Sequence, residues 1–306
     1  MVTRSRERSM CRAVVASVLL LSGLAAHGAE PGSRAGHGHV SLSYQFISVD
    51  GFESSIGELP IGKVETHTLY FDVEYNVTER LTLIAGIPYV RKRYRGPGPH
   101  DPLLLDPPRP FIENVDQGNW NSDFQDFHIG AKYRARDDQF VIEPYFYFGI
   151  PSHEYPFFGH AAVGQQLLKF DLGTSVTWFP GLSNAFYGVD VAYVLVEETL
   201  GVSINHWKVN TVAGYQFGPR LTGRVFAQLK DGGGLTFPDD FPTPRNTELW
   251  YQHDRLVKHN YLNVGIGLDW ALDDTYQVST NFMQMPWAEQ VHKMEYAFTI
   301  GISRAF

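Results

Sequence analysis

From Val40 onward one feature governs what this chain can become: apolar and polar residues alternate with a period of two, in segment after segment. Such alternation makes a strand with two chemically different faces, because successive side chains leave opposite sides of the pleat. In one segment Leu69, Phe71, Val73 and Tyr75 share a face, and Thr68, Tyr70, Asp72 and Glu74 share the other. Another sets Leu168, Phe170, Leu172, Val176 and Trp178 against Lys169, Asp171, Gly173, Ser175 and Thr177. The last sets Met294, Tyr296, Phe298, Ile300 and Ile302 against Lys293, Glu295, Thr299 and Ser303. Twelve such segments are expected, near 40–48, 64–75, 80–90, 123–135, 139–150, 166–179, 184–196, 204–217, 221–230, 258–271, 275–285 and 292–306.

The spacers between them alternate too. Those at 49–63, 91–122, 151–165, 197–203, 231–257 and 286–291 read as long loops, whereas Asn76 to Glu79, Arg136 to Asp138, Pro180 to Ser183, Gly218 to Arg220 and Leu272 to Asp274 read as tight turns. Segregation of loops by length is the mark of a transmembrane barrel, with short periplasmic turns and longer extracellular loops. Tyr75, Tyr133, Trp178, Tyr187, Tyr215, Phe217, Trp270 and Tyr276 flank the tight turns on the apolar face, where an interfacial girdle belongs. A soluble barrel is the alternative, but about eight strands already give an interior that side chains just fill. Twelve strands with an apolar interior would enclose a void. The expectation is therefore an all-β, twelve-stranded antiparallel transmembrane β-barrel over residues 40–306, in the bacterial outer membrane.

Composition agrees: 14% of residues are aromatic and only 19% charged, yet the mean hydropathy of −0.20 excludes a helical membrane protein. Arg4, Arg6, Arg8 and Arg12 precede the apolar stretch Ala13 to Ala26, so residues 1–29 read as an export signal and 30–39 as a flexible periplasmic lead. The single cysteine, Cys11, would leave with that signal. The formal charge of −8, more acidic still without the leader's arginines, argues against nucleic acid as a partner.

On the polar face lie Asp72, Glu74, Asp126, Glu143, Asp171, Asp190, Asp269 and Glu295, with Lys132, Arg134, Lys169, Lys208, Arg224, Lys230, Lys293 and His128. These are expected to line the lumen. Charges there either pair across the wall and stiffen the barrel, or select solutes in a narrow polar conduit, and the two roles are compatible. Leu103, Leu104 and Leu105 in the second long spacer and Phe157 and Phe158 in the third are expected to form an apolar lip that gates the path. Arg91, Lys92, Arg93 and Arg95 are expected to meet lipopolysaccharide phosphates above the lipid. Eight histidines (His67, His100, His153, His160, His206, His253, His259 and His292) map to the extracellular end, but none are paired at ligand spacing within one strand. No metal site and no cofactor are expected. Hydrolase, zinc-protease and phosphate-loop signatures are absent from the sequence.

The chain ends on Phe306, in phase with Phe298, Ile300 and Ile302, which resembles the terminal-strand signal read by the barrel-assembly machinery; Arg304 departs from the usual apolar residue. The stretch Phe124-Gln125-Asp126-Phe127-His128-Ile129-Gly130-Ala131-Lys132-Tyr133-Arg134 resembles a recurrent strand of the outer-membrane channel family named after the meta-pathway of phenol degradation. Asp126, Gly130, Lys132, Tyr133 and Arg134 match, while the leading glycines are not kept. Gly149-Ile150-Pro151 and the stretch from Gly164 to Gly173 are similar to the family's following loop and strand. The resemblance implies an outer-membrane channel for passive uptake of small, aromatic or hydrophobic solutes. The rivals are an outer-membrane lipid-modifying enzyme, which would need a nucleophile beside His67 or Trp207 on the outer rim, and a closed structural barrel.

Overall fold

The computed structural model describes residues 34–97, 100–242 and 247–306. The export signal expected over 1–29, and the start of the lead expected over 30–39, lie outside the described residues. The lead ends sooner than expected, because Gly38 and His39 already belong to the first strand.

Twelve antiparallel strands make up the wall: β1 (Gly38–Ser54), β2 (Gly57–Asn76), β3 (Leu81–Arg95), β4 in two pieces (Asn121–Phe124 and Asp126–Tyr133), β5 (Phe140–Pro151), β6 (Lys169–Trp178), β7 (Ala185–Val196), β8 (His206–Gln216), β9 (Leu221–Gly232), β10 (Asn260–Ala271), β11 (Tyr276–Glu289) and β12 (Val291–Ala305). Each pairs with its neighbours in sequence, and β12 pairs with β1 from His39↔Ala305 to Glu53↔Val291, so the sheet closes on itself. A two-residue bridge, Arg136–Asp137, extends the turn between β4 and β5. Closure leaves no open edge, which a sheet in lipid requires. None of the described helices is long and apolar enough to cross a membrane.

The outer face is oily. Leu172, Val225, Ile266, Leu268, Phe298, Ile300 and Ile302 are all exposed, as are all eight aromatics named beside the tight turns. An apolar band of this extent rimmed with aromatics fits acyl chains and headgroups rather than water.

Two of the spacers expected to be loops are wall. β1 and β2 continue their ladder up to Ser54↔Gly57, and a single residue, Gln290, joins β11 to β12. Gly51 and Gly62, within the spacer expected to be a loop, sit at φ 75° and 107° inside the extended hairpin. There they permit local bends in the strands that carry them.

A bulge also overturns the expected facing of β12. Ser48 pairs with Tyr296 but Val49 pairs with Met294, leaving Glu295 as an inserted residue. Met294 therefore turns inward against the cluster that holds Val49 and Val64. Glu295 and Lys293, expected in the lumen, turn to the outer side of the hairpin. There Lys63 reaches Glu295 at 3.2 Å, and Lys293 reaches Glu53 at 3.0 Å and Glu58 at 2.8 Å. One extra residue shifts a period-two pattern by half a cycle and exchanges the two faces.

On the inner face, large side chains lie flat across glycines of the adjacent strand. A Cβ at Gly214 would overlap the Phe186 ring, and one at Gly265 would overlap Phe226. Both rings belong to the inner apolar cluster.

Candidate functional site

Three connections, β3–β4, β5–β6 and β9–β10, fold together at the end of the barrel opposite the tight turns. In the first, Asp101 accepts a hydrogen bond from the Leu103 N–H and starts a short 3-10 turn (Pro102–Leu104). The turn buries Leu105 and leaves Leu103 and Leu104 exposed. In the second, Phe158 is buried against His100 and Tyr251, and Phe157 stacks beneath the Arg255 guanidinium. The third carries two short helices, α1 (Thr247–Tyr251) and α2 (His253–Leu256).

Two carboxylates, buried Asp116 and half-buried Asp254, join these loops. Asp116 accepts the backbone N–H groups of His160 at 3.0 Å and Ala161 at 2.9 Å, so the first loop holds the second. Asp254 accepts the Gly159 N–H at 3.0 Å, so the third holds it too. Arg255 adds hydrogen bonds to the carbonyl and side chain of Gln166. Tyr155 donates to Asp126 on β4 and accepts from the Gln166 N–H, anchoring the second loop to the wall.

The assembled loops enclose a cavity of about 370 Å³ walled by Phe157, Phe158, Phe237, Trp250, Val257 and Leu105. Its polar margin is formed by Lys92, His100, His160, His253, Asp254 and His292. A second cavity, of about 270 Å³, runs along the inner wall of β1–β3 past Ile47, Val49, Val64, Thr68 and Tyr70. Lys92, Gln125, Val163 and His292 border both cavities. Lys92 is held in this partition by a 3.1 Å hydrogen bond to the Ala162 carbonyl.

Protonation in the loops follows burial. His160 is pushed well below the usual imidazole range, first by burial and then by its neighbours His100 and His292. His259 is lowered to about 3, again mainly by burial and then by Lys230. Burial would raise Asp254, but the imidazoles of His253, His100 and His160 and the Gly159 N–H outweigh it and hold the carboxyl well below its ordinary range. Burial thus keeps His160 and His259 neutral beside an ionised Asp254 carboxylate.

Below the loops, the charges expected in the lumen sit mostly in pairs along the wall. Glu74 meets Lys132 at 2.9 Å, Asp72 meets His128 at 2.8 Å, Glu143 meets Arg134 at 3.0 Å and Asp171 meets Lys208 at 2.7 Å. Asp126 lies 3.7 Å from Lys169, Asp269 is joined to Arg224, and Asp190 accepts from the Tyr145 hydroxyl at 3.0 Å. Lys230 stands opposite Lys208 in the β8–β9 ladder.

The histidines separate into distinct environments. His67 lies near the outer rim, bonded to the Tyr44 hydroxyl at 2.6 Å and packed against Trp120. His153 bonds Asp123, and buried His206 bonds the Ile204 carbonyl. His100, His160, His253 and His292, from three connections and the first turn of β12, converge at the cavity. Their partners Asp116 and Asp254, and the inward turn of Lys92 out of the basic run, were not singled out by the sequence. Only the adjacency of His253 and Asp254 was visible there.

No family model and no curated protein matches this chain. Among solved structures, an outer membrane channel from Pseudomonas putida F1 superposes with a TM-score of 0.68 over 90% of this chain and 97% of that chain, at 13% identity. The translocator domain of the autotransporter NalP from Neisseria meningitidis gives 0.48 over 90% of each chain at 11% identity. The CymD monoaromatic hydrocarbon channel gives 0.45 over 90% and 89%, at 10% identity. The first likeness shows the fold, a closed twelve-stranded antiparallel β-barrel as the sequence led one to expect.

Proposed function

We propose that this protein is an outer-membrane channel through which small apolar or aromatic solutes pass by diffusion. The observation that carries this reading is the pair of cavities that share a partition. The outer one is walled by aromatic and aliphatic side chains, and the inner one follows the barrel wall beneath it. A dry apolar cavity of about 150 Å³ already accepts benzene, so about 370 Å³ accommodates a substituted ring. Most wall charges are satisfied by one another, which reduces the attraction along the path that would trap a solute. The barrel fold shared with an outer membrane channel supports the same reading.

In this reading Leu105, Phe157 and Phe158 are the gate, with Leu103 and Leu104 on its outer lip. The paired lumen charges hold the wall open. Residues 1–29 direct export, and the terminal strand ending at Phe306 is the contact for the assembly machinery. Arg91 and Arg93, whose guanidinium carbons lie 4.6 and 4.2 Å from the Trp120 ring, face lipopolysaccharide on the outer rim. Among the described residues His67 bonds the Tyr44 hydroxyl and no serine, threonine or cysteine, so a channel is favoured over a lipid-modifying enzyme.

The test is reconstitution into liposomes, with flux of toluene-sized solutes measured against protein-free vesicles. Wild-type protein is expected to accelerate flux, and Val163→Trp, which fills the partition, to abolish most of the gain. A wild-type barrel that passes neither these solutes nor ions would favour the closed structural alternative.

A further inference from the structure

The histidines at the cavity margin bring two ring nitrogens and a carboxylate together around one point. His253 Nδ1 lies 2.6 Å from the Trp250 carbonyl oxygen. A carbonyl offers only lone pairs, so that nitrogen carries a proton, and in the neutral ring Nε2 is left with the lone pair. His100 Nδ1 lies 2.8 Å from Asp116 Oδ2, on a carboxylate that also accepts two backbone N–H groups. Such a carboxylate is an acceptor, so His100 is protonated on Nδ1 as well. The two Nε2 atoms face each other across 2.9 Å, so that in neutral rings their lone pairs meet. Asp254 faces the same point, with Oδ1 3.4 Å from His253 Nε2 and Oδ2 3.8 Å from His100 Nε2. Such donors meet either across one proton shared between the two rings or around a bound cation, and only a cation engages all three at once.

We propose that His100 Nε2, His253 Nε2 and the Asp254 carboxylate form a site for a divalent first-row transition-metal ion of the zinc type. Donors bound about 2.0–2.1 Å from a tetrahedral ion stand about 3.3 Å from one another. The three separations here, 2.9, 3.4 and 3.8 Å, bracket that value. Two imidazoles favour zinc, cobalt or nickel over calcium or magnesium, which prefer all-oxygen shells. The outer contacts are those of a metal site: Asp116 and the Trp250 carbonyl orient the two imidazoles, and the Gly159 N–H orients Asp254. A second observation points the same way. His160 Nε2 is buried without a hydrogen-bond partner, on a ring whose centroid is 4.3 Å from that of His100. A further imidazole with an unsatisfied nitrogen thus lies next to His100. The ligands come from different loops, so the ion ties the β3–β4 connection to the β9–β10 connection over the cavity. Its effect on passage rests on the channel reading, but the binding itself does not.

The experiment uses the full chain in detergent, stripped with a chelator and titrated with zinc and with cobalt. One zinc per chain by elemental analysis is expected, together with the visible absorption of tetrahedral cobalt, which zinc abolishes. His100→Ala and His253→Gln are each expected to lose stoichiometric binding. Asp116→Asn is expected to weaken it about 10–100-fold, and His153→Ala to leave it unchanged. Retained heat-modifiability on gels identifies variants that still fold. Sub-stoichiometric zinc in the wild-type protein, or full binding by a folded His100→Ala/His253→Gln double variant, overturns the site. Zinc binding by a barrel that passes no solute would refute the channel reading and leave the site standing.

Discussion

The Arg224 guanidinium meets Asp269 and donates to Asn281 at 2.6 Å, and the paired side chains are only 2% and 1% exposed. A pair this buried gains little over an apolar replacement, but removing one partner strands the other charge. Asp269→Ala is therefore expected to cost about 3–5 kcal/mol, read by urea titration of the folded barrel in detergent. Arg224→Met combined with Asp269→Leu should recover most of that loss, and a double variant no better than the single one would contradict this account. Glycines set a second constraint at the same scale. Gly214→Val places branched carbon where the Phe186 ring lies, so the variant should lose heat-modifiable barrel. Adding Phe186→Ala should restore folding, since it clears the collision at the expense of a cavity. If Phe186→Ala leaves the defect unchanged, the ring is not what Gly214 accommodates.

Among elements, the β5–β6 connection supplies Phe157, Phe158, His160 and Val163 to the two cavities and is held by Asp116 and Asp254. Replacing residues 153–165 with a short Gly-Ser link should leave the barrel intact and raise single-channel conductance in planar bilayers. Unchanged conductance would place the barrier elsewhere. Strands were legible in the sequence wherever alternation was unbroken, because a wall between lipid and lumen imposes it on every residue. Legibility failed where the period broke. Gly51, Pro60 and Gly62 read as loop, although the hairpin bends through them, and the bulge at Glu295 reversed the facing of Lys293 and Met294. The charges of the polar face were legible as residues but not as pairs, since partners such as Asp171 and Lys208 stand on strands with another between them. The gathering of His100 with His253 was hidden altogether. Ligands on separate loops leave no local spacing, and only closure of the barrel brings those loops together.

The whole molecule is taller on one side. β2 has 20 residues and β6 has 10, or roughly 65 and 33 Å along the strand at about 3.3 Å per residue. With strands tilted about 40°, the short side just covers an apolar band about 25 Å tall. The long side rises clear of it. The polar contacts of Lys63, Lys293 and Glu295 fall on that raised hairpin, which is why charges on the outer face are tolerated there. The loops lean from this parapet across the opening, with Phe237 in edge contact with Phe52 of β1 and its carbonyl accepting from Ser55.

The seam between first and last strands has a bearing on how such a wall is made. Gly38 and Phe306 exchange backbone hydrogen bonds, N–H to carbonyl in both directions, so the two ends of the described chain are direct neighbours. Pairing across that distance carries a large entropic cost before it returns any contact. Eleven of the twelve strands without the last would present two raw borders, each a template for a foreign strand. Closing the ring is thus the step at which a vulnerable ribbon becomes a vessel, and a chain shortened by its final strand would be expected to stick to its own kind rather than sit half-finished in a bilayer.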